Sequence, residues 1–397
     1  MTRRAPPSIV DVAIIGGGLA GGLTALALAH KRPELRIRLF EQGETLGGNH
    51  RWSWFETDLD AGGRALLAPF RTCLWDGYRV RFPAHARALD TPYRSLSSHD
   101  FDIGLRRELP EGIIRCGSEV ASFGHDHVML AGDERIPARI VVDCRSAAPS
   151  AHMAGGWQVF MGRHLRTHTP HGVDLPIIMD ATVDQLGGYR FVYVLPIGAC
   201  DLFVEDTYYQ DEPELDRSAL SARIDAYCEA QGWQYDCIAH ETGVLPVITG
   251  GDLDAYREQQ SEPGVVLAGA RGGFTHPLTS YTLPFAAETA LAIADHADLP
   301  GEQLAALVER KAKQHWRATA FYRLLGRMLF QAAEPEQRVR VFERFYTLSP
   351  DLIERFYAGR SSLADKARIL IDKPPVPVSR AIPALLSSGR PMQGNPQ

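Results

Sequence analysis

The stretch from Val10 to Glu41 constrains this chain more than any other. Val-Asp-Val-Ala-Ile-Ile at 10–15 is a short apolar run of the kind buried in a parallel sheet. Gly16-Gly17-Gly18 breaks it, and from Leu19 to His30 leucine and alanine recur at helical spacing. Pro33 closes that helix, and Ile37 to Glu41 reads as a second strand. Strand, helix and strand in this order predict a βαβ unit opening a doubly wound domain.

Gly16-x-Gly18-x-x-Gly21 lies between strand and helix, and Glu41 ends the next strand. Gly16 permits the tight turn, Gly18 lets a pyrophosphate approach the backbone, and Gly21 lets the helix pack close to the sheet. The helix N-terminus offers free N–H groups and a favourable dipole to the anion, and Glu41 can accept from a ribose hydroxyl. Gly16, Gly17, Gly18, Leu19, Ala20, Gly21 and Glu41 are therefore candidate dinucleotide contacts. A further buried strand is expected at Val265 to Ala270, followed by a second glycine turn, Gly272-Gly273. A flavin dinucleotide is long and needs a second backbone contact near its ring end. Gly272 and Gly273 join the candidates on that ground, and the layout suits FAD as a resident cofactor.

With 397 residues the chain is long enough for two interleaved domains. The expected fold is α/β: a Rossmann-type FAD-binding domain interleaved with a β-sheet substrate domain, plus C-terminal helices. Residues 8–156 and 259–300 are assigned to the FAD-binding domain, with a buried strand at Arg139 to Asp143 and a helix at Pro284 to Ala297. Residues 157–258 are assigned to a sheet over the flavin, with one helix from Leu215 to Gln231. Residues 301–372 read as helical and 373–397 as a Pro-rich irregular tail. A formal net charge of -6 argues against nucleic acid as a partner. Six scattered cysteines with no C-x-x-C pair predict reduced thiols in a cytosolic setting. Arg3-Arg4 is a weak match to an export signal, and no apolar run reaches the ~18 residues of a membrane span.

Several longer segments carry a family resemblance. Gly47-Gly48-Asn49-His50-Arg51-Trp52-Ser53-Trp54 resembles the loop after the second strand in bacterial flavin-dependent lycopene β-cyclases. The likeness continues through Pro176 to Gln185, Gly188 to Tyr193, Val204 to Thr207, Phe274 to Pro284, Arg355 to Gly359 and Lys373 to Val378. It implies a flavoenzyme that turns the linear ends of lycopene into β-ionone rings, needing FAD in its reduced form and NAD(P)H as reductant, with no net redox change. The acidic motif of the plant members, Phe-Leu-Glu-Glu-Thr, falls on Phe203-Val204-Glu205-Asp206-Thr207, with Glu205 in the essential position and Asp206 replacing the second glutamate.

Such a ring closure needs a proton delivered to C2, shelter for the tertiary cation left at C1, and a base for the proton on C6. Strand alternation puts Phe203, Glu205 and Thr207 on one face and Val204, Asp206 and Tyr208 on the other, with Phe191 to Leu195 as the partner strand. Burial beside aromatic residues would keep Glu205 protonated, which makes it the expected general acid. Asp206 and Asp180 are the further catalytic candidates, each with pairing to an arginine or capping as the plainer alternative. Trp52, Trp54, Tyr193, Tyr208, Phe274 and Tyr281 are candidates to line a polyene tunnel, core packing being the alternative for each. His276 precedes a proline in the flavin-side loop, with flavin contact or turn packing as its role. His164, His168 and His171 predict no metal, because Pro170 breaks any shared face and no acid or cysteine completes a set.

Related FAD monooxygenases carry Gly-Asp after the late strand, where Gly269-Ala270-Arg271 stands here. That favours a cyclase over an FAD-dependent monooxygenase and leaves a halogenase or a polyprenyl reductase as alternatives. A non-catalytic flavin- or carotenoid-binding protein would have no use for an acid on a buried strand. Lycopene is insoluble in water, so the resemblance also implies a peripheral enzyme at the cytoplasmic face of a membrane. The basic region Arg310 to Arg344, with Leu324, Leu325, Met328, Leu329 and Phe330 inside it, is the expected membrane-surface contact on the substrate argument, ordinary packing on the FAD-binding domain being the alternative.

Overall fold

A computed structural model describes residues 9–371 and 389–392. Its first sheet is built on Val10–Ile15, whose near-continuous apolar run is buried on both faces. Ile37–Phe40 and the C-terminal half of Arg135–Asp143 flank it in parallel, and Ile114–Arg115 and Val266–Leu267 extend the parallel part. His127–Leu130 and Val120–Gly124 add an antiparallel meander at the far edge. The helix Leu19–Lys31 covers this sheet and packs on the helix Leu283–Asp295, whose Ala286, Ala287, Ala290 and Ala294 let the two approach closely. The late strand is shorter than expected because Gly269 takes a φ of 62° and turns the chain into a 3-10 segment, Ala270–Gly272.

The second sheet has seven strands in the order Tyr235–Gly251, Met153–Thr167, Asp201–Gln210, Tyr189–Pro196, Ile177–Asp180, Tyr78–Arg81 and Ala86–Leu89. All pairs are antiparallel except Ile177–Asp180 with Tyr78–Arg81. Two features differ from the sequence expectation. The boundary at 156/157 falls inside the continuous strand Met153–Thr167, and the strands within 78–89 belong to this sheet and not to the first one. The second pairing joins segments nearly 100 residues apart, which local patterning does not encode.

Alternation along the central strands divides their side chains between two cores. Tyr189, Phe191, Leu195, Phe203 and Tyr209 pack under the C-terminal helices with Tyr322, Tyr346 and Phe356. Val192, Val194, Leu202, Val204 and Tyr208 pack on the helix Arg217–Ala230 through Leu220, Ile224 and Tyr227. A small sheet, Arg51–Phe55, Tyr93–Ser97 and Cys73–Trp75, closes one end.

Residues 301–371 are helical, as expected, although 310–344 is not one basic helix. It is broken into Gly301–Ala318, Ala320–Arg327, a π-helical turn Met328–Ala332 and Arg338–Phe345. No helix among the described residues is long and apolar enough to cross a membrane. Of the tail, Pro391 bridges to Ala154 and Met392 is buried, whereas Met1–Ser8 and the Lys373 to Val378 motif lie outside the described residues.

Candidate active site

The three fingerprint glycines differ in what surrounds them. Gly16 holds a φ of 96°, where a side chain would be strained. A Cβ on Gly21 would fall 1.9 Å from the Gly16 carbonyl oxygen, so this glycine is what lets the helix approach the turn. A Cβ on Gly18 would meet no heavy atom within 4 Å, which leaves open space at the start of the helix. Glu41 accepts from the N–H groups of Gly17 at 2.7 Å and Gly43 at 2.8 Å, so its carboxylate is fixed at the rim of that space. A Cβ on Gly269 would lie 2.7 Å from the Ala20 Cβ, which brings the late glycine turn against the first helix. Gly273 takes a left-handed φ of 87°, and the Gly272 carbonyl accepts from Arg257 at 2.6 Å. These features fit a dinucleotide: an open cradle at Gly18 beside a helix N-terminus, with an acid and a second glycine turn adjoining.

On the Phe203 face of the large sheet a cavity is lined by Arg51, Trp52, Gln158, Tyr193, Phe203, Glu205, Glu241 and Tyr281, among others. Part of the surface of Glu205 stays accessible, as a wall of this cavity. Its Oε1 accepts from the Thr207 hydroxyl at 2.7 Å. Burial, and then the neighbouring charge of Glu241, push the Glu205 carboxyl up to about 8, so it is largely protonated at neutral pH. Burial likewise raises Glu241 to about 7, against the opposing influence of Arg51. Ser280, a non-glycine residue with φ 58°, also lines the cavity, and its hydroxyl donates to the Pro246 carbonyl at 2.8 Å. Backbone strain of this kind persists only where the surroundings hold it.

A second cavity, overwhelmingly apolar, adjoins the first. Met179, Phe191, Tyr209, Leu278, Leu325, Met328, Leu329, Phe342 and Phe345 line it, and it extends to Leu370, which is 40% exposed. Gln158, Tyr193, Thr279 and Tyr281 belong to the walls of both cavities and form the boundary between them. There Tyr281 hydrogen-bonds through its hydroxyl to Tyr193 at 2.9 Å and Tyr93 at 3.1 Å.

The remaining sequence candidates lie elsewhere. Asp206 is fully buried on the opposite face of the sheet, where Arg190 donates to it from Nε at 3.0 Å and Nη2 at 2.7 Å. Asp180 also faces that side, accepting from the Tyr227 hydroxyl at 2.9 Å and the Thr182 hydroxyl at 2.6 Å. Neither lines the cavity that holds Glu205. Trp52, Tyr193 and Tyr281 line it, whereas Trp54 and Phe274 are core and Tyr208 accepts from Arg223. His276 is buried in turn packing, its ring bonded to the Phe356 carbonyl and the Thr279 N–H, and burial drops its ring to about 3. Two side chains expected in a membrane-facing basic patch are also core: Arg323 stacks on Trp316, and Arg338 bonds the carbonyls of Leu329 and Tyr209 and the carboxylate of Asp211. Leu325, Met328 and Leu329 line the apolar cavity.

Sequence reading missed Glu241 and Arg51. Both reach the site through strand pairing distant in sequence, and the strand Tyr235–Gly251 lacks the regular alternation that would have marked Glu241.

Among solved structures, the chain has the fold of a geranylgeranyl bacteriochlorophyll reductase-like protein from Thermoplasma acidophilum, with a TM-score of 0.58 at 12% identity over 92% of this chain and 97% of that one. A probable FAD-dependent monooxygenase from Pseudomonas aeruginosa gives 0.54 at 16% identity, over 84% and 99%. At the sequence level the chain is 45% identical over 379 residues to a lycopene beta-cyclase of Pseudescherichia vulneris, covering 95% of this chain and 97% of that one. It is 41% identical to a lycopene beta-cyclase of Paracoccus sp. (strain N81106 / MBIC 01143), covering 94% and 97%, and 38% identical to one of Pantoea ananas, covering 96% and 99%. The family model for lycopene cyclase protein matches residues 11–382, and with that span and those identities the chain belongs to the lycopene cyclase family.

Proposed function

We propose that this enzyme converts the ψ ends of lycopene to β-ionone rings, giving β-carotene by way of γ-carotene, in an acid-initiated reaction with no net redox change. The observation that carries this reading is a glutamic acid, its carboxyl pushed up by burial, in the wall of a cavity that abuts an apolar one. The apolar cavity suits the polyene chain, and its end group would sit at Glu205. Glu205 delivers its proton to C2, and the C5=C6 double bond attacks the resulting cation at C1. Tyr193, Tyr281, Trp52 and Phe203 exclude water and offer π faces to positive charge. Gly16, Gly17, Gly18, Leu19, Ala20 and Gly21, with Glu41 and the Gly272-Gly273 turn, would hold FAD, whose reduced form, generated by NAD(P)H, would supply negative charge to stabilise the cation.

Lycopene reaches the protein from a bilayer in this reading, so the enzyme works as a peripheral protein at the cytoplasmic membrane face. The surface that supports this is the end of the apolar cavity, where Leu370 is 40% exposed on a helix that also carries Leu363 at 85%.

Turnover in deuterated water is expected to place one solvent deuteron in each ring, with NAD(P)H oxidised in far less than one equivalent per ring. Mass spectrometry of the carotenoid and absorbance at the nicotinamide band read both quantities. Oxidation one-for-one with product would favour the monooxygenase or reductase alternative. Asp206→Asn should act on stability instead of chemistry. It leaves the Arg190 guanidinium buried without its counter-charge, a loss of roughly 3–5 kcal/mol for a broken buried pair. Urea denaturation should register that loss, and the ring-closing rate per folded, flavin-loaded molecule should stay within about tenfold of wild type.

A further inference from the structure

The acid step leaves one carboxyl of the cavity without a task. Glu241 stands on Tyr235–Gly251 and Glu205 on Asp201–Gln210, and both pair across the sheet with Gly162 on the strand between them. Residues directly opposite on neighbouring strands project to the same face, so the two carboxyls share it. Gly162 contributes no side chain to fill the gap: a Cβ there would lie 2.3 Å from the Phe203 ring and 3.2 Å from Glu241 Cγ. Arg51 enters from the small sheet. Its charge acts on both carboxyls, and its guanidinium lies 5.3 Å from the Phe203 ring centroid. The other ionisable groups lining the cavity are His50 and the hydroxyls of Tyr93, Tyr193 and Tyr281.

We propose that Glu241 is the base that removes the C6 proton, so that one proton enters the substrate from Glu205 and another leaves to Glu241. The assignment rests on the cyclase reading above. The Glu205 O–H bond breaks as the C2–H bond forms. The C5=C6 electron pair becomes the C1–C6 bond and leaves the cation on C5. Glu241 then takes the hydrogen of C6, and that C–H electron pair becomes the new C5=C6 double bond. Glu205 ends ionised and Glu241 protonated; Glu241 then releases its proton to solvent and Glu205 takes one from solvent, which resets the site with no electrons gained or lost. The electrostatics run in the direction this assignment needs: burial raises both carboxyls, and the charge of Glu241 raises Glu205 further.

A cation on C5 can discharge by losing hydrogen from C6, from C4 or from the methyl carbon on C5. Only loss from C6 gives a β ring. Purified, flavin-loaded Glu241→Gln should therefore close rings at least ~100-fold more slowly. Its residual product should carry the double bond between C4 and C5 or to the methyl carbon. Glu241→Asp, which keeps a base set back by one methylene, should make β rings slowly and show a primary isotope effect with lycopene deuterated at C6. Chromatography and NMR of the rings identify the isomers. Residual rings from Glu241→Gln that are all β would overturn the assignment. If that variant makes no ring at all, the isotope effect in Glu241→Asp decides, and its absence overturns the proposal. Failure of the underlying reading looks different, because the wild-type chain with reduced flavin would then leave lycopene open.

Discussion

Glu205→Gln is expected to slow ring closure by between ~100- and ~10,000-fold, the usual contribution of a general acid. The substitution preserves side-chain length and a carbonyl oxygen to accept from Thr207, and removes only the transferable proton. Flavin content should be unchanged, because the glycine cradle lies on the other sheet. The pH dependence has a defined sign. Glu205 acts protonated and Glu241 ionised, so the wild-type rate should fall as pH rises through about 8 and again as pH drops through about 7. Stability follows the Glu205 proton. The folded chain binds it more tightly than a free glutamate with its ordinary value of 4.5, so this contribution is complete below about 4.5 and is lost as pH rises through about 8. Glutamine has no such dependence, so at pH values near 8 the variant should melt no lower than wild type. A variant that cyclises at the wild-type rate would remove Glu205 from the acid role. A dead variant that also loses flavin and melts early would show that the side chain serves folding.

Legibility in the sequence followed the range of the interaction. The βαβ unit and its glycines are local: six apolar residues, a turn and a helix specify one another within a short window. The two faces of Asp201–Gln210 were legible for the same reason, because the period of a strand is fixed by the backbone, and Glu205 and Asp206 do project to opposite sides. Long-range pairing was illegible. Nothing near Tyr78 marks it as the parallel neighbour of Ile177–Asp180, and nothing near Glu241 marks it as level with Glu205 across Gly162. Asp180 looked like a site residue because it is a carboxylate on an apolar strand, yet its partner Tyr227 comes from a helix on the far face. Composition misled in the region 310–344. Arginines there suggested an exposed basic surface, whereas Arg323 and Arg338 are buried by stacking and by bonds to carbonyls, and the leucines among them line the apolar cavity.

Gly18→Val is expected to yield a folded protein without FAD. The three glycines of the fingerprint predict different failures, and the difference makes the experiment decisive. At Gly21 a Cβ would overlap the Gly16 carbonyl at 1.9 Å, and at Gly16 the positive φ would strain any side chain, so substitution at either position damages the fold itself. Gly18 has a φ of -69°, ordinary for any residue, and its Cβ would point into space that no protein atom approaches within 4 Å. A valine there costs the apoprotein little and puts branched methyl groups where the backbone must meet a pyrophosphate. Affinity for FAD should weaken by on the order of a thousandfold, equivalent to about 4 kcal/mol. The purified variant should be colourless, and apoprotein of variant and wild type should melt within a few degrees of each other. Ring closure should vanish even with Glu205 and Glu241 intact, because the cation would lack the negative charge of the reduced cofactor. A yellow, flavin-loaded Gly18→Val protein would move the cofactor away from this turn. A colourless variant that still closed rings would remove FAD from the chemistry and leave the carboxyl pair to carry it alone.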